Sequence, residues 1–360
     1  MNRQKRNGTL ACLMLAVLLL FLTACSGGGA GSQNGAGTQP QGQQDQQGQG
    51  QQAGGKKYKI ATVVKLTGVA WFDRMNEGIK KFGEDTGHET FMQGPQKADA
   101  ALQVQIIEDL IAQKVDAITV VPFSAEALEP VLKKAREKGI VVITHEADGF
   151  QNTDFNIEAF DNLDYGAFLM DNLAKAMGEQ GEYMTTVGSL TTKSHMQWEE
   201  GAYKRQQEKY PNMKAVARKL ETNDDQKTAS EKFRETLKAY PNLKGFQGAS
   251  GNDAAGAALA VEEMGLQGKV SVVGTSVPSV SKQYLESGAM SMIGFWDPAD
   301  AGYVMNRLAV MVLDGKKDEI KEGADLGVKG YEHIKVVDGK YLFGSAWVGV
   351  GKDNMNEYNF

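Results

Sequence analysis

The sequence predicts an α/β protein of two doubly wound, Rossmann-like lobes on parallel sheets. Three observations predict it. From Lys57 onward, short β-branched runs alternate with longer amphipathic stretches, at roughly 25 to 30 residues per strand-helix unit. Most of those runs are continuously apolar, as parallel strands covered on both faces should be. The part after residue 55 has about 305 residues, more than a single hydrophobic core usually serves.

The chain begins with a segment outside the fold. Arg3, Lys5 and Arg6 form a positive start, and Leu10 to Leu22 is an unbroken apolar run of 13 residues. That run is too short for a comfortable bilayer span and has the length of a signal-peptide core. It ends in Leu22-Thr23-Ala24-Cys25, which resembles the lipobox of bacterial lipoproteins. The resemblance implies that residues 1–24 are a cleaved lipoprotein signal peptide and that Cys25 is the lipid attachment site, diacylated on sulfur by palmitate or a similar chain. An ordinary secretory signal is the alternative. Residues 25–55 then read as a tether. Between Ser26 and Gly55, 11 of 30 residues are Gly and 10 are Gln, with no aromatic or long aliphatic side chain, too little apolar surface to offset ordering entropy. A tether of this kind has a use where the globe works close to a membrane. The expected place is the extracytoplasmic face of a cell membrane, as in a monoderm bacterium.

The part after the tether carries 36 basic and 44 acidic residues, a net −8. An acidic body is a poor partner for a phosphate backbone, so no nucleic acid is expected. Cys12 and Cys25 both precede the globular part. Disulfides, thiolate catalysis and cysteine-ligated metals are thereby excluded from it.

The strand candidates, in order, are Ile60–Val64, Ala117–Val121, Ile140–Thr144, Tyr183–Val187, Gly245–Ala249 and Val270–Gly274. Between the first two, Ala101, Val104, Ile107, Leu110 and Ile111 fall at helical spacing. Tyr210-Pro211-Asn212 and Tyr240-Pro241-Asn242 each stop a helix and precede an apolar strand. Asp297-Pro298 has the form of an N-cap followed by proline at the first helical position. Pro130, six residues after Ser124, requires that its helix start late or kink.

Ligands of open α/β sheets bind beyond the carboxyl ends of the strands. Lys65, Trp71 and Phe72 follow the first strand, and His145, Glu146 and Asp148 follow the run that ends at Thr144. Later strands are followed by Ser194, His195 and Trp198, then by Asn252 and Asp253, and the series closes on Trp296 and Asp297. Three of the four tryptophans and two of the four histidines gather there. A polar ring with flat aromatic faces suits a neutral polyol, whose C–H faces stack on indole while planar groups fix its hydroxyls. Plainer roles compete. Asp297, Asn252 and Asp253 can each cap a helix, Trp71 and Phe72 can be core, and Trp198 on a helical stretch reads as packing. His145, Glu146 and His195 lack the tight two-histidine spacing of a metal site, so no metal and no cofactor are expected.

Longer stretches resemble a known family. Val64-Lys65-Leu66-Thr67-Gly68, Gln103–Leu110 with Val115-Asp116-Ala117-Ile118, Ile143-Thr144-His145-Glu146-Ala147-Asp148, Tyr240-Pro241-Asn242-Leu243-Lys244, Trp296-Asp297-Pro298, Lys352-Asp353-Asn354 and Tyr358-Asn359-Phe360 carry the likeness. It extends over Tyr58 to Phe360. The chain resembles the type I substrate-binding proteins of bacterial sugar importers, in the rhamnose-binding and autoinducer-2-binding branch. The resemblance implies two lobes joined by three crossovers that close on a ligand, here 56–160 with 297–325 and 161–296 with 326–360. It implies a small-molecule sugar as ligand, an ABC permease and its ATPase as partners, and a monomer. Of the autoinducer-2 pattern, Lys65 matches the lysine. Glu146 stands for an aspartate, Ser194 and His195 for an aspartate-glutamine pair, Ala249 for a proline and Gly251 for an alanine. A rhamnose-like or other simple sugar therefore fits better than autoinducer-2, which is the alternative, together with presentation of the ligand to a sensor kinase.

Catalysis has no support in the motifs. There is no His-Glu-x-x-His, no Gly-x-Ser-x-Gly and no strand-linked Gly-x-Gly-x-x-Gly. Gly248-Ala249-Ser250-Gly251 fails the second pattern because its second glycine arrives one residue early.

Overall fold

The structure is a computed structural model and describes residues 56–146 and 149–360. The expected signal peptide, tether, lipid site Cys25 and ligand residue Asp148 lie outside the described residues.

The first sheet starts with β1 (Lys59–Val63), β2 (Glu89–Gln93), β3 (Ala117–Val120), β4 (Val141–His145) and β5 (Phe155–Glu158), all in parallel pairing. Helices α1 (Ala70–Thr86), α2 (Ala100–Gln113) and α3 (Ala125–Glu137) connect its strands. The chain then enters a second unit of α4 (Asn162–Met177), β6 (Gly181–Val187), α5 (Lys193–Lys209), β7 (Met213–Glu221), α6 (Gln226–Ala239), β8 (Leu243–Gly248), α7 (Asp253–Glu263), β9 (Ser271–Thr275), α8 (Pro278–Ser287) and β10 (Met292–Phe295). Helix α9 (Pro298–Leu313) returns to pack on β1, β3 and β4. β11 (Lys335–Val337) and β12 (Tyr341–Phe343) follow, and β13 (Val348–Val350) comes last. The sheet orders are β11-β12-β5-β4-β3-β1-β2 and β13-β10-β9-β8-β6-β7.

The chain passes between the sheets after β5, after β10 and after β12. The last passage corrects the expected lobe boundary at residue 325. β12 pairs in parallel with β5, Tyr341 opposite Asn156, and in antiparallel with β11, so residues 335–343 extend the first sheet rather than the second. Two three-residue strands without an intervening helix carry little periodicity. Their signal is the turn, because Asp338 and Gly339 both have positive φ (49° and 68°), the conformation that Asp-Gly favours in a tight hairpin.

Local chemistry explains most helix starts. Asp99, Asp161, Asp225 and Asp297 each accept a backbone N–H in the first turn of the following helix. Helix α3 begins at Ala125, capped by Ser124, and continues through Pro130. The expected late start is not needed. Pro130 is exposed, as is Glu126 one turn before it, so the carbonyl that loses its donor is open to solvent.

Both units contain helix pairs in backbone contact. A Cβ on Gly78 of α1 would lie 1.9 Å from the Ala299 carbonyl oxygen of α9. On the α4–α5 pair the contact is reciprocal: Gly166 would meet the Trp198 carbonyl oxygen at 2.0 Å and Gly201 the Leu163 carbonyl oxygen at 2.1 Å. These approaches fix the depth at which Trp198 and the start of α9 sit. Gly166→Ala should therefore force α5 outward at a cost of roughly 3 kcal/mol. Thermal melting should show a midpoint several degrees lower, and an unchanged midpoint would contradict the close-packed pair.

Candidate ligand-binding cleft

The carboxyl ends of both sheets' parallel strands face one half-open cavity, the place where open α/β sheets bind ligands. From the first unit, Lys65 follows β1, Trp71 and Phe72 open α1, and Glu146 follows β4. From the second, His195 and Trp198 lie in α5, Asp224 follows β7, Ser250, Gly251 and Asn252 follow β8, and Thr275 ends β9. Trp296 stands at the passage after β10. The Lys65, Glu146, Asp224 and His195 side chains are all buried.

The centre is electrostatic. Lys65 Nζ is 3.9 Å from Glu146 Oε2, 3.8 Å from Asp224 Oδ2 and 3.3 Å from His195 Nε2. Partners from both units thus surround one buried ammonium. Burial alone would raise the Asp224 carboxyl, but Lys65 holds it below its ordinary value, so it is ionised. Burial pushes His195 down to about 3, with Lys65 adding to the effect, so its imidazole is neutral. Glu146 occupies the left-handed region with φ 60°, a conformation that costs free energy in a non-glycine residue and recurs at functional sites.

The walls are aromatic. Trp71 and Trp296 meet edge to face at 4.6 Å between centroids, and Trp198 meets Trp296 at 5.6 Å. The N–H groups of Trp296 and Trp198 are held by fixed partners. Trp296 Nε1–H donates to His145 Nε2 at 3.3 Å, and Trp198 Nε1–H donates to Asn162 Oδ1 at 2.6 Å. The indole faces are left for apolar contact. Across the rim, Thr192 Oγ1 donates to the Phe123 carbonyl at 3.0 Å, a hydrogen bond between the two units.

Lys65, Trp71, Phe72, Glu146, His195, Asn252 and Trp296 are brought together at the cavity. Four other expected ligand residues stand elsewhere. His145 is fully buried behind Trp296. Burial keeps it neutral, its Nδ1–H donates to the Ile157 carbonyl, and its Nε2 serves the indole. Asp297 caps α9 through Ala299 N–H and pairs with Arg74 through both oxygens (2.9 and 2.6 Å), so its acceptors are taken. Asp253 lies under the β8 loop, accepting from Thr186 Oγ1 and Ser250 N–H. Ser194 is buried in the first turn of α5, off the cavity.

Several cavity residues lie outside the expected ligand set, among them Ser250, Thr275, Trp198 and Asp224. Trp198 packs in α5 as expected but also forms the wall. Asp224 follows a strand, Met213–Glu221, whose residues are mostly half-buried and whose apolar positions are interrupted by Lys214, Arg218 and Lys219, so no continuous apolar run marks its carboxyl end. Among the described residues, no cluster of three or more His, Cys, Asp or Glu could hold a metal, and no helix is long and apolar enough to cross a membrane.

Comparison with known proteins places this geometry. Residues 60–317 match a family model described as a periplasmic binding protein domain. The D-allose-binding periplasmic protein of Escherichia coli K12 is 28% identical over 291 residues, which cover 77% of this chain and 89% of that protein. An ABC transporter solute binding protein from Clostridium phytofermentas, solved with bound L-rhamnose, superposes with a TM-score of 0.78 at 21% identity, covering 84% of this chain and 98% of the other. LsrB from Clostridium saccharobutylicum, in complex with AI-2, gives 0.76 at 23% identity over 84% of this chain and all of the other. At those identities the two structures show a shared fold.

The buried Asp253 makes a test of the cleft floor. Burial raises its carboxyl to about 7, whereas an unfolded aspartate titrates near 4, roughly. Between those values the folded state binds more protons than the unfolded one, so raising the pH through the window removes stability. In chemical denaturation, the stability of Asp253→Asn relative to the unsubstituted chain should grow from about pH 4 to about pH 7 and then level off. A difference independent of pH would place Asp253 in a solvated or paired environment.

Proposed function

The chain belongs to the periplasmic binding protein domain family, and on that premise we propose that it is the extracytoplasmic substrate-binding protein of an ABC importer for a neutral monosaccharide. A rhamnose-like or other simple sugar would be captured between the two units and handed to the permease and its ATPase. The protein would act as a monomer, without cofactor, held to the cell membrane by a lipid on Cys25 and the tether that follows it.

One observation carries the ligand class: a single cavity lined by the buried Lys65, Glu146 and Asp224 together with the rings of Trp71, Trp198 and Trp296. Buried charges at that density need partners. A sugar supplies hydroxyls to them and C–H faces to the indoles at once. The same groups suit a polyol better than an apolar molecule, which would leave them unpaired, or a dianion, which would stand against two carboxylates. The name of the D-allose-binding relative agrees with this class.

A thermal-shift screen against pentoses, hexoses, deoxyhexoses, alditols and autoinducer-2, followed by calorimetry, tests the reading. A sugar at a hundredfold over its dissociation constant should add about 2.7 kcal/mol to stability. Glu146→Ala should weaken its binding at least about tenfold through loss of a charge-assisted hydrogen bond, and Trp296→Ala by a comparable factor through lost stacking. Submicromolar autoinducer-2 binding without any sugar binding would replace the sugar with that molecule.

A further inference from the structure

His195, Lys65 and Asp224 form an arrangement that their own hydrogen bonds do not complete. Gly188 N–H donates to His195 Nδ1 at 3.0 Å. The ring is neutral, so with Nδ1 accepting, the proton sits on Nε2. Lys65 Nζ lies 3.3 Å from that Nε2. Two donors face each other there and neither can accept from the other. Asp224 Oδ2, 3.8 Å from the same Nζ, is buried and has no hydrogen-bond partner. Two donors and one acceptor, all buried, therefore converge without satisfying one another.

The backbone is shaped to bring them this close. A Cβ on Gly188 would lie 2.5 Å from Asp224 Oδ1 and 2.9 Å from His195 Nδ1, so only glycine lets both approach. Asn223 and Asp224 are consecutive residues with positive φ (55° and 56°). Asn223 N–H donates to the Gly188 carbonyl at 2.8 Å, which pins this strained turn against the end of β6. Strain of this kind persists where the surrounding structure imposes it.

We propose that this triad is the site of one ligand hydroxyl, whose oxygen accepts from Lys65 Nζ and His195 Nε2–H and whose proton goes to Asp224 Oδ2. A hydroxyl is the simple group that offers two lone pairs and one proton from a single atom. The inference rests on the reading of the cleft as a sugar site and narrows it. Lys65 against Glu146 and Asp224, with His195 neutral, leaves the cluster one negative charge in excess. The ligand is then a neutral sugar or alditol with a hydroxyl at this point. The deoxy analogue at that carbon is disfavoured, and so are sugar acids and sugar phosphates. His195 acts as a specificity-determining donor.

Nitrogen NMR on the full chain with ¹⁵N-labelled histidine should show His195 as the Nε2–H tautomer at neutral pH, before any sugar is added. An Nδ1–H tautomer or an imidazolium would overturn the assignment. Calorimetry then uses D-allose, L-rhamnose, D-arabinose and xylitol as neutral probes, with D-glucuronate and glucose 6-phosphate as anionic ones. Asp224→Asn and His195→Phe should weaken the neutral probe that binds at least about tenfold, and His195→Gln, which keeps an N–H donor, should lose distinctly less. If His195→Phe fails to fold, Asp224→Asn and the tautomer decide. Unchanged affinity in folded Asp224→Asn would overturn the triad while leaving the sugar reading intact. An unsubstituted chain that binds only the anionic probes, or no probe, would remove both.

Discussion

The structure depends on the burial of one ammonium group between two units that fold around separate sheets. An unpaired ammonium taken out of water carries a large desolvation cost. For Lys65 that cost is offset by Glu146 from its own sheet and Asp224 from the other, each within 4 Å. The apposition of the two strand-end surfaces is therefore an electrostatic requirement as well as a packing one. The net negative cluster that results sets the charge of what can enter.

Around that centre the aromatic residues are positioned from behind. Trp296 stands where the chain passes from β10 to α9, and its indole N–H reaches His145 at the end of β4. Trp198 is fixed through Asn162, beside the passage from β5 to α4. Both indoles are thus tied to the segments that join the units. The C-terminus adds a third tie, since Phe360 packs edge to face on Phe295 and lies under the Arg74 guanidinium, while its carbonyl accepts from Ser279 N–H. Rotation of one unit against the other would move walls and charges together.

Much of this was legible in the residues because buried parallel strands are continuous apolar runs. β1, β3, β4, β6, β8 and β9 declare themselves that way, and the residues at their carboxyl ends include Lys65, Glu146, His195 and Asn252. What stayed hidden had a physical cause. β7 is an edge strand of half-buried, mostly charged or small residues, so Asp224 had no strand end to mark it. β11 and β12 are a hairpin signalled only by Asp338-Gly339, and the lobe boundary shifted with them. His145 and Asp297 sit at the right ends of the right strands, yet one faces an indole and the other a guanidinium. Position along the chain cannot distinguish a residue that touches a ligand from one that orients its neighbour.

If groups from both units hold one ligand between them, the protein should become more compact on binding. Small-angle scattering before and after saturation with the sugar that gives the largest thermal shift measures this. The radius of gyration should be smaller in the saturated protein and should not change when Lys65→Met is given the same sugar concentration. A bound sugar that leaves the radius of the unsubstituted chain unchanged, with Lys65→Met binding it equally well, would contradict a ligand held between the two units.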